Sequence, residues 1–460
     1  MENNQNNFLG TEPIGKLLWK LAIPTLAAQI INMLYNLVDR IYIGKGIGSL
    51  PLGGVGICMP VIMIVSAFAA LVSAGGAPRA SIFMGQNKND MAERTLGGCF
   101  FLQLFVSAAL TAILLIWNRP LLMAFGGSPD TIEYSVSYMN IYAIGTIFVQ
   151  LTLGMNAFIT AQGFTKTSML SVLIGAGFNI VLDPIFIFGF KMGVRGAALA
   201  TILSQGISCI WVLSFLFGKK THLRIKAKYI RLEPKIIFPC LALGMAPFIM
   251  QASESVIAVC FNSSLQNYGG DIAVTTMTIL ISVMQFALLP LQGIGQGAQP
   301  IMSYNYGARN GDRVRASFKL LLKVSLGYSL LLWAVVLLFP KVFITMFNSE
   351  APLVAFAVTP LRIYVGGLGI FGAQIACQMA FNALGNAKAS ILVAVMRKFV
   401  LLLPLIYIMP HVFPADPTMA VYLAEPIADI LAVLFTVILF WFQFKKSMAE
   451  LDTPEIDGTN

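Results

Sequence analysis

Apolar positions along the chain fall in long runs, from Leu17 to Ile43, around Val61 to Ala74, and on to the stretch from Ile430 to Phe442. The segments that hold them reach the roughly 20 helical residues that cross a bilayer. A transmembrane barrel would instead show short strands of alternating character. A spanning segment must also satisfy its own backbone hydrogen bonds, so helices are predicted throughout. Twelve spans are expected, near residues 17–40, 54–76, 96–117, 134–156, 168–189, 195–217, 236–262, 273–296, 318–339, 353–375, 389–409 and 419–443. The predicted fold class is an all-α integral membrane protein.

Polar residues break this pattern at informative places. The first fifteen residues are polar and Asn-rich, without a short apolar core or a small-residue cleavage site, so the first apolar run is expected to remain as a membrane helix. An even number of spans puts both ends on one side. That side carries Lys16, Lys20, Arg79, Lys88, Arg94, Lys166, the loop from Lys219 to Lys235, the cluster from Arg309 to Lys323, Lys388, Lys445 and Lys446. The opposite loops carry only Arg40, Lys45, Arg119, Lys191, Arg195 and Lys341. The excess of Lys and Arg makes both termini cytoplasmic, in a multi-pass protein of the plasma (inner) membrane. Composition agrees, with 57% hydrophobic and 11% charged residues and a mean hydropathy of +0.80. The net charge of +10 follows from the same bias. It points to membrane lipids and not to nucleic acid, with the run KKTHLRIKAKYIRLEPK expected against anionic headgroups.

The chain also repeats itself. A shift of 222 positions brings Pro78 onto Pro300, Gly85 onto Gly307, Asp90 onto Asp312, Tyr142 onto Tyr364, Gly163 onto Gly385, Lys166 onto Lys388 and Ser168 onto Ser390. A constant offset at loop residues signals an internal duplication. Six spans per copy make the copies parallel, related by an axis along the membrane normal, which is a transporter arrangement. The expected organisation is two pseudo-symmetric six-helix bundles: a first lobe over 1–217, a basic linker over 218–235, a second lobe over 236–445 and a tail over 446–460. The matched loop segments SAGGAPRASIFMGQNKNDMAERT and GQGAQPIMSYNYGARNGDRVRAS read as helix ends that position the bundle.

Three carboxylates fall inside spans: Asp39, Asp183 and Glu254. An acid in mid-membrane costs roughly 2.5 to 3.5 kcal/mol on insertion scales, so each must face protein or water. Asn32, Tyr35 and Asn36 precede Asp39 by seven, four and three residues and share its helix face. Asn179 stands one turn before Asp183, and Pro184 removes a backbone donor, freeing a carbonyl that can help hold a cation. A structural reading stands beside this one: Asp39 and Arg40 as an interfacial pair, Asp183 as a packing hydrogen bond. Glu425 and Asp429 are the weaker case, since Pro426 and Asp416 suggest a start near the outer interface. Cys58, Cys99, Cys209, Cys240, Cys260 and Cys377 show no CxxC spacing and read as buried small apolar residues. Neither His222 nor His411 has a nucleophile or metal-ligand partner at useful spacing, which disfavours an enzyme.

With these residues in view, the chain resembles the multidrug and toxic compound extrusion (MATE) family, in its DinF-like bacterial branch. The segments that carry the resemblance are PTLAAQIINMLYNLVDRIYIG, AFITAQGFTKTS, FNIVLDPIFIFGFKMGVRGAALATILSQ, LGMAPFIMQASES and LPLQGIGQGAQPIMSYNYGARN, which cover nearly the whole chain. The resemblance implies a secondary active transporter of MOP-type fold, whose two lobes expose a central cavity alternately to each side. It implies a cation or proton site in the first lobe at Asp39, Asn179, Asp183 and Thr201, with H+ or Na+ as coupling ion and no other cofactor. Tyr35, Asn36, Tyr138 and Asn156 belong to the polar network expected around it. Glu254 and Gln374 are the second-lobe candidates; Gln374 stands where relatives carry an aspartate, so the expectation rests on the first lobe. The implied cargo is amphipathic organic cations, exported by a monomer. A lipid-linked sugar flippase of the same fold superfamily is the alternative; its cavity should be basic, and the mid-span bases are Arg362, Arg397 and Lys398.

Overall fold

The computed structural model describes residues 8–348 and 350–452. The start of the polar leader (1–7) and the end of the expected tail (453–460) lie outside the described residues. After a short turn at Phe8–Thr11, the first half comprises α1 (Ile14–Gly46), α2 (Ser49–Gly85), α3 (Asn89–Ala124), α4 (Ile132–Ala161), α5 (Thr165–Pro184) and α6 (Val194–Phe217). A π-helical turn, Ile185–Gly189, extends α5. The next helical stretch extends for 74 residues, Pro234–Gly307, but Gly270 within it has φ 64° and ψ −160°. Only glycine adopts that conformation readily. It separates α7 (234–269) from α8 (271–307), and both return to the same partner, α2, near its end. The chain continues through α9 (Gly311–Leu338), a short helix Pro340–Thr345, and α10 (Ala351–Tyr364, continuing through Val365–Gly367 to Leu368–Ala383). Next comes α11 (Ala387–Val395, a π-helical turn at Met396–Leu402, then Leu403–Val412), and α12 (Pro417–Asp452) closes the fold.

All twelve predicted spans are helical, and most helices overrun them; α2 covers Ser49–Gly85 where 54–76 was expected. Apolar windows register the lipid, whereas hydrogen bonding carries the helix into its polar flanks until the chain must turn. That turn falls on Asn87 after α2 and on Arg309 after α8, both left-handed with φ 57° and 55°. These two positions are again 222 apart.

The duplication is visible in contacts. A Cβ on Gly85 would lie 2.0 Å from the Tyr304 carbonyl oxygen, and one on Gly307 would lie 2.0 Å from that of Ile82. Both pairs interchange under the 222-residue shift, so one contact is made twice about a pseudo-twofold axis. Gly75 and Gly244 seat against the carbonyls of Cys240 and Leu71, and Gly293 and Gly297 against Leu26 and Ala22 of α1. Thr25 Oγ1 then donates to the Gly293 carbonyl at 2.7 Å. Small residues let the backbones of the two halves meet along this seam. The matched glycines are thus structural, as the loop segments suggested.

The seam lies at the end of the molecule that carries both termini. There one apolar core mixes the halves, with Leu17, Leu21 and Phe158 beside Ile301, Phe381 and Phe440. Toward the far end the cores are separate: one around Val55, Tyr138 and Ile202, the other around Phe261, Leu361 and Tyr422. The bundles therefore share a core at one end and keep their own at the other.

The basic linker departs from a strip lying simply on headgroups. Its residues alternate, with Leu223, Ile225 and Tyr229 buried and Lys226 and Lys228 exposed. Gln162 Oε1, at the end of α4, accepts from Thr221 Oγ1, His222 N and Leu223 N at 2.8 to 2.9 Å. The apolar side of the alternation docks the linker on the first bundle and leaves the charges outward.

Candidate functional site

Asp39 lies 25 residues into α1, and Asp183 lies at the end of α5, just before the π-helical turn. Packing of α1 against α5 and α6 brings the two carboxyl groups within hydrogen-bonding reach of one another. Both are buried, Asp183 completely. Asn179 Nδ2 donates to Asp183 Oδ1 at 3.4 Å, the one-turn relation legible in the sequence. Tyr35 lies close to the same acids on α1 and to Gln205 of α6, whose Oε1 is buried without a hydrogen-bond partner. Tyr138 approaches Asp39 from α4 and lies near Thr201, whose Oγ1 donates to the Ala197 carbonyl at 3.0 Å. Six expected residues thus converge: Asp39, Asn179, Asp183, Thr201, Tyr35 and Tyr138.

The donor set is informative. Asp39 Oδ1, Asn179 Oδ1 and Asp183 Oδ2 are buried and have no hydrogen-bond partner. Buried oxygens are almost always paired, so three orphans in one place call for a proton, a cation or water among them. An all-oxygen set with two carboxylates suits a hard cation, and equally suits a shared proton. Among the described residues no group of three or more His, Cys, Asp or Glu side chains gathers as a metal site.

Two network members are set apart. Asn36 is exposed and turns its amide back to the Asn32 carbonyl at 2.7 Å, because a short amide mid-helix bonds its own backbone most easily. Asn156 donates to the Ser168 carbonyl at 3.3 Å, fifteen residues before Asp183, or roughly 20 Å along the helix axis. Its Oδ1 is buried without a partner, but it stands apart from the acid pair. Thr160 bonds Ser168, and at the positions 222 further on Gln378 and Asn382 bond Ser390, so each bundle carries the same polar clasp between consecutive helices.

The second bundle differs from expectation. Glu254 is no free acid: Lys398 Nζ lies 2.6 Å from its Oε1. Glu425 and Asp429 do not lie at a helix start; both are buried and both pair with Arg397. The reason is that α12 starts at Pro417 and continues through Pro426, which carries the two acids a full two to three turns inward. Arg362 stands aside, exposed, donating to the Leu337 carbonyl at 3.3 Å. Gln374 is buried with its Oε1 unpartnered, and among the described residues no hydrogen bond joins it to Glu254. Pairing charges of equal depth on α11 and α12 was the sequence signal that could have found this cluster.

A duplicated twelve-helix membrane bundle, joined at one end and holding an acid pair in its interior, has the architecture of a membrane transporter. The family model described as MatE matches residues 24–185 and again 247–408. These are the two copies of the repeat and more than half of the chain, so the protein belongs to the MatE family and is a secondary transporter, not an enzyme. Multidrug export protein MepA of Staphylococcus haemolyticus (strain JCSC1435) is 22% identical over 434 residues, covering 94% of this chain and 95% of that protein. Its namesake in Staphylococcus aureus (strain NCTC 8325 / PS 47) is 21% identical over 459 residues, 99% of each. Among solved structures, MATE in the bent conformation superposes with a TM-score of 0.92 at 22% identity, covering 98% of this chain and 100% of that chain. The outward-facing conformation of a multidrug resistance MATE family transporter of the MOP superfamily gives 0.90 at 23% identity, with 99% and 100% covered. These structural likenesses establish the fold.

Proposed function

We propose that this protein is a multidrug efflux antiporter that exchanges H+ or Na+ for amphipathic organic cations by alternating access across the plasma (inner) membrane, both termini being cytoplasmic. Residues 1–217 and 236–445 act as its two lobes, with 218–235 as linker. The observation that carries the reading is the trio of buried, unpartnered oxygens on Asp39, Asn179 and Asp183. Two full negative charges in such proximity repel, by about 4 kcal/mol for a generic separation of about 4 Å at an effective dielectric near 20. One positive charge relieves that repulsion, so the pair takes up a proton or a cation whenever it is closed off from water. Filling the site draws α1 toward α5. Pro24 lies within α1 beside the seam at Ala22 and Thr25, so a bend there transmits the movement to the joined end. Ion and cargo are coupled because each favours a different arrangement of the same lobe.

The multidrug cargo is supported by the two export proteins that match this chain along almost their whole length. The flippase alternative loses support, because Arg397 and Lys398 are each matched by carboxylates and leave no basic wall for a pyrophosphate. The reading is tested with Asp183→Asn in proteoliposomes loaded with a fluorescent organic cation. Gradient-driven efflux should fall at least tenfold while insertion and thermal stability are kept. Efflux at the wild-type rate would remove Asp183 from the mechanism.

A further inference from the structure

The first-bundle mechanism leaves the charge cluster of the second bundle unused. Arg397, in the π-helical turn of α11, donates from Nε to Asp429 Oδ1 at 2.8 Å and from Nη2 to Glu425 Oε1 at 3.3 Å. All three side chains are more than nine-tenths buried, at 7%, 1% and 7% exposure for Arg397, Asp429 and Glu425. Phe371 of α10 packs under the guanidinium, its ring centre 4.6 Å away. The other ionisable groups facing the cluster are Tyr364 of α10, Glu254 of α7 and Lys398 of α11. Lys398 and Glu254 cancel one another at 2.6 Å.

The triad does not cancel. Two carboxylates and one guanidinium leave an uncompensated negative charge away from water, which is strongly disfavoured unless a counter-charge joins it. Asp429 Oδ2 is buried and has no hydrogen-bond partner, so the place for that charge is specific. We propose that the Glu425–Arg397–Asp429 triad is a second proton site, filled when one proton binds Asp429 Oδ2 and emptied when the second bundle admits water. Binding turns the carboxylate into a neutral acid and brings the triad to zero net charge; no electrons move. A metal cation at the same oxygen would sit beside the Arg397 cation, whereas a proton removes charge without adding a like neighbour. Glu254, half exposed beside Lys398, is the most accessible acid near the cluster and the port by which a proton would enter.

The placement within the repeat points the same way. Helices α11 and α12 are the second-half counterparts of α5 and α6, which hold Asp183 and Thr201. In both α5 and α11 a π-helical turn begins within two residues of the charged group, and such turns recur at functional sites because they leave the helix a residue of slack. Proton uptake by the triad is independent of what is exported, and only its part in the transport cycle rests on the ion-coupled reading above.

Infrared difference spectroscopy of the full-length protein tests this without any transport. In an Asp39→Asn/Asp183→Asn background the first-bundle pair cannot titrate. A protonated-carboxyl band that appears on acidification, in sodium-free and sodium-containing buffer alike, is the expected result, and adding Asp429→Asn should abolish it. Asp429→Asn leaves Arg397 paired with Glu425, so retained thermal stability is the folding control. No such band in the double variant, a band that survives Asp429→Asn, or one that sodium suppresses would each overturn the proposal.

Discussion

Asp183 and Arg397 stand on equivalent helices of the repeat, and each is defined by what surrounds it. Asp183 meets another acid and an amide; Arg397 meets two acids. Removing the only base from a buried group of two acids costs more than the group contributes, because both acids are left charged and unpaired. Arg397→Met should therefore destabilise the protein by about 3 to 5 kcal/mol. Adding Glu425→Gln and Asp429→Asn to it should restore most of the loss, as thermal unfolding in detergent will show. Legibility at this scale followed distance along the chain. Asn179 and Asp183 are one turn apart on one helix, and their contact was readable from spacing alone. The bonds of Arg397 to Glu425 and Asp429 cross from α11 to α12, and Lys398 to Glu254 crosses 144 positions. Nothing local encodes those, and proline at 426 argued misleadingly for a helix start, because a helix held by its neighbours tolerates one missing donor.

Among the elements, the apolar runs and the 222-residue offset carried the twelve spans and the duplication. The break at Gly270 was foreseen as a loop, yet it is a single glycine turn between two long helices, since helices extended well past the lipid leave little chain for a loop. The sequence could show that Gly85 and Gly307 correspond, but not that they meet each other's helices, which depends on the pseudo-twofold axis. That symmetry makes a prediction. A methyl group on either glycine would press on a backbone carbonyl 2.0 Å away, so Gly85→Ala and Gly307→Ala should loosen the joined end alike. In a background retaining only Cys240, which is buried at this seam, each variant should raise the rate of thiol labelling several-fold and to a similar degree. Labelling unchanged in both would show that the seam yields elsewhere.

The whole molecule joins two bundles through a seam of small residues at the end that carries the termini, and keeps separate cores at the other. In the proposed mechanism such a body rocks about its seam while each far-end core stays whole, opening to one side at a time. Each bundle places ionisable groups in its interior, and in the proposed mechanism uptake of one positive charge there changes which arrangement is favoured. The central claim is that ion movement and cargo movement are obligatorily linked through Asp39 and Asp183. The most direct measurement is the reverse of efflux: proteoliposomes with no ion gradient, an imposed outward gradient of a fluorescent organic cation, and a reporter of internal pH or sodium. The account predicts that the cargo gradient alone drives the coupling ion in the opposite direction in the wild type, and that Asp39→Asn and Asp183→Asn abolish this. Cargo leaving down its gradient with no counter-movement of either ion in the wild type would contradict it.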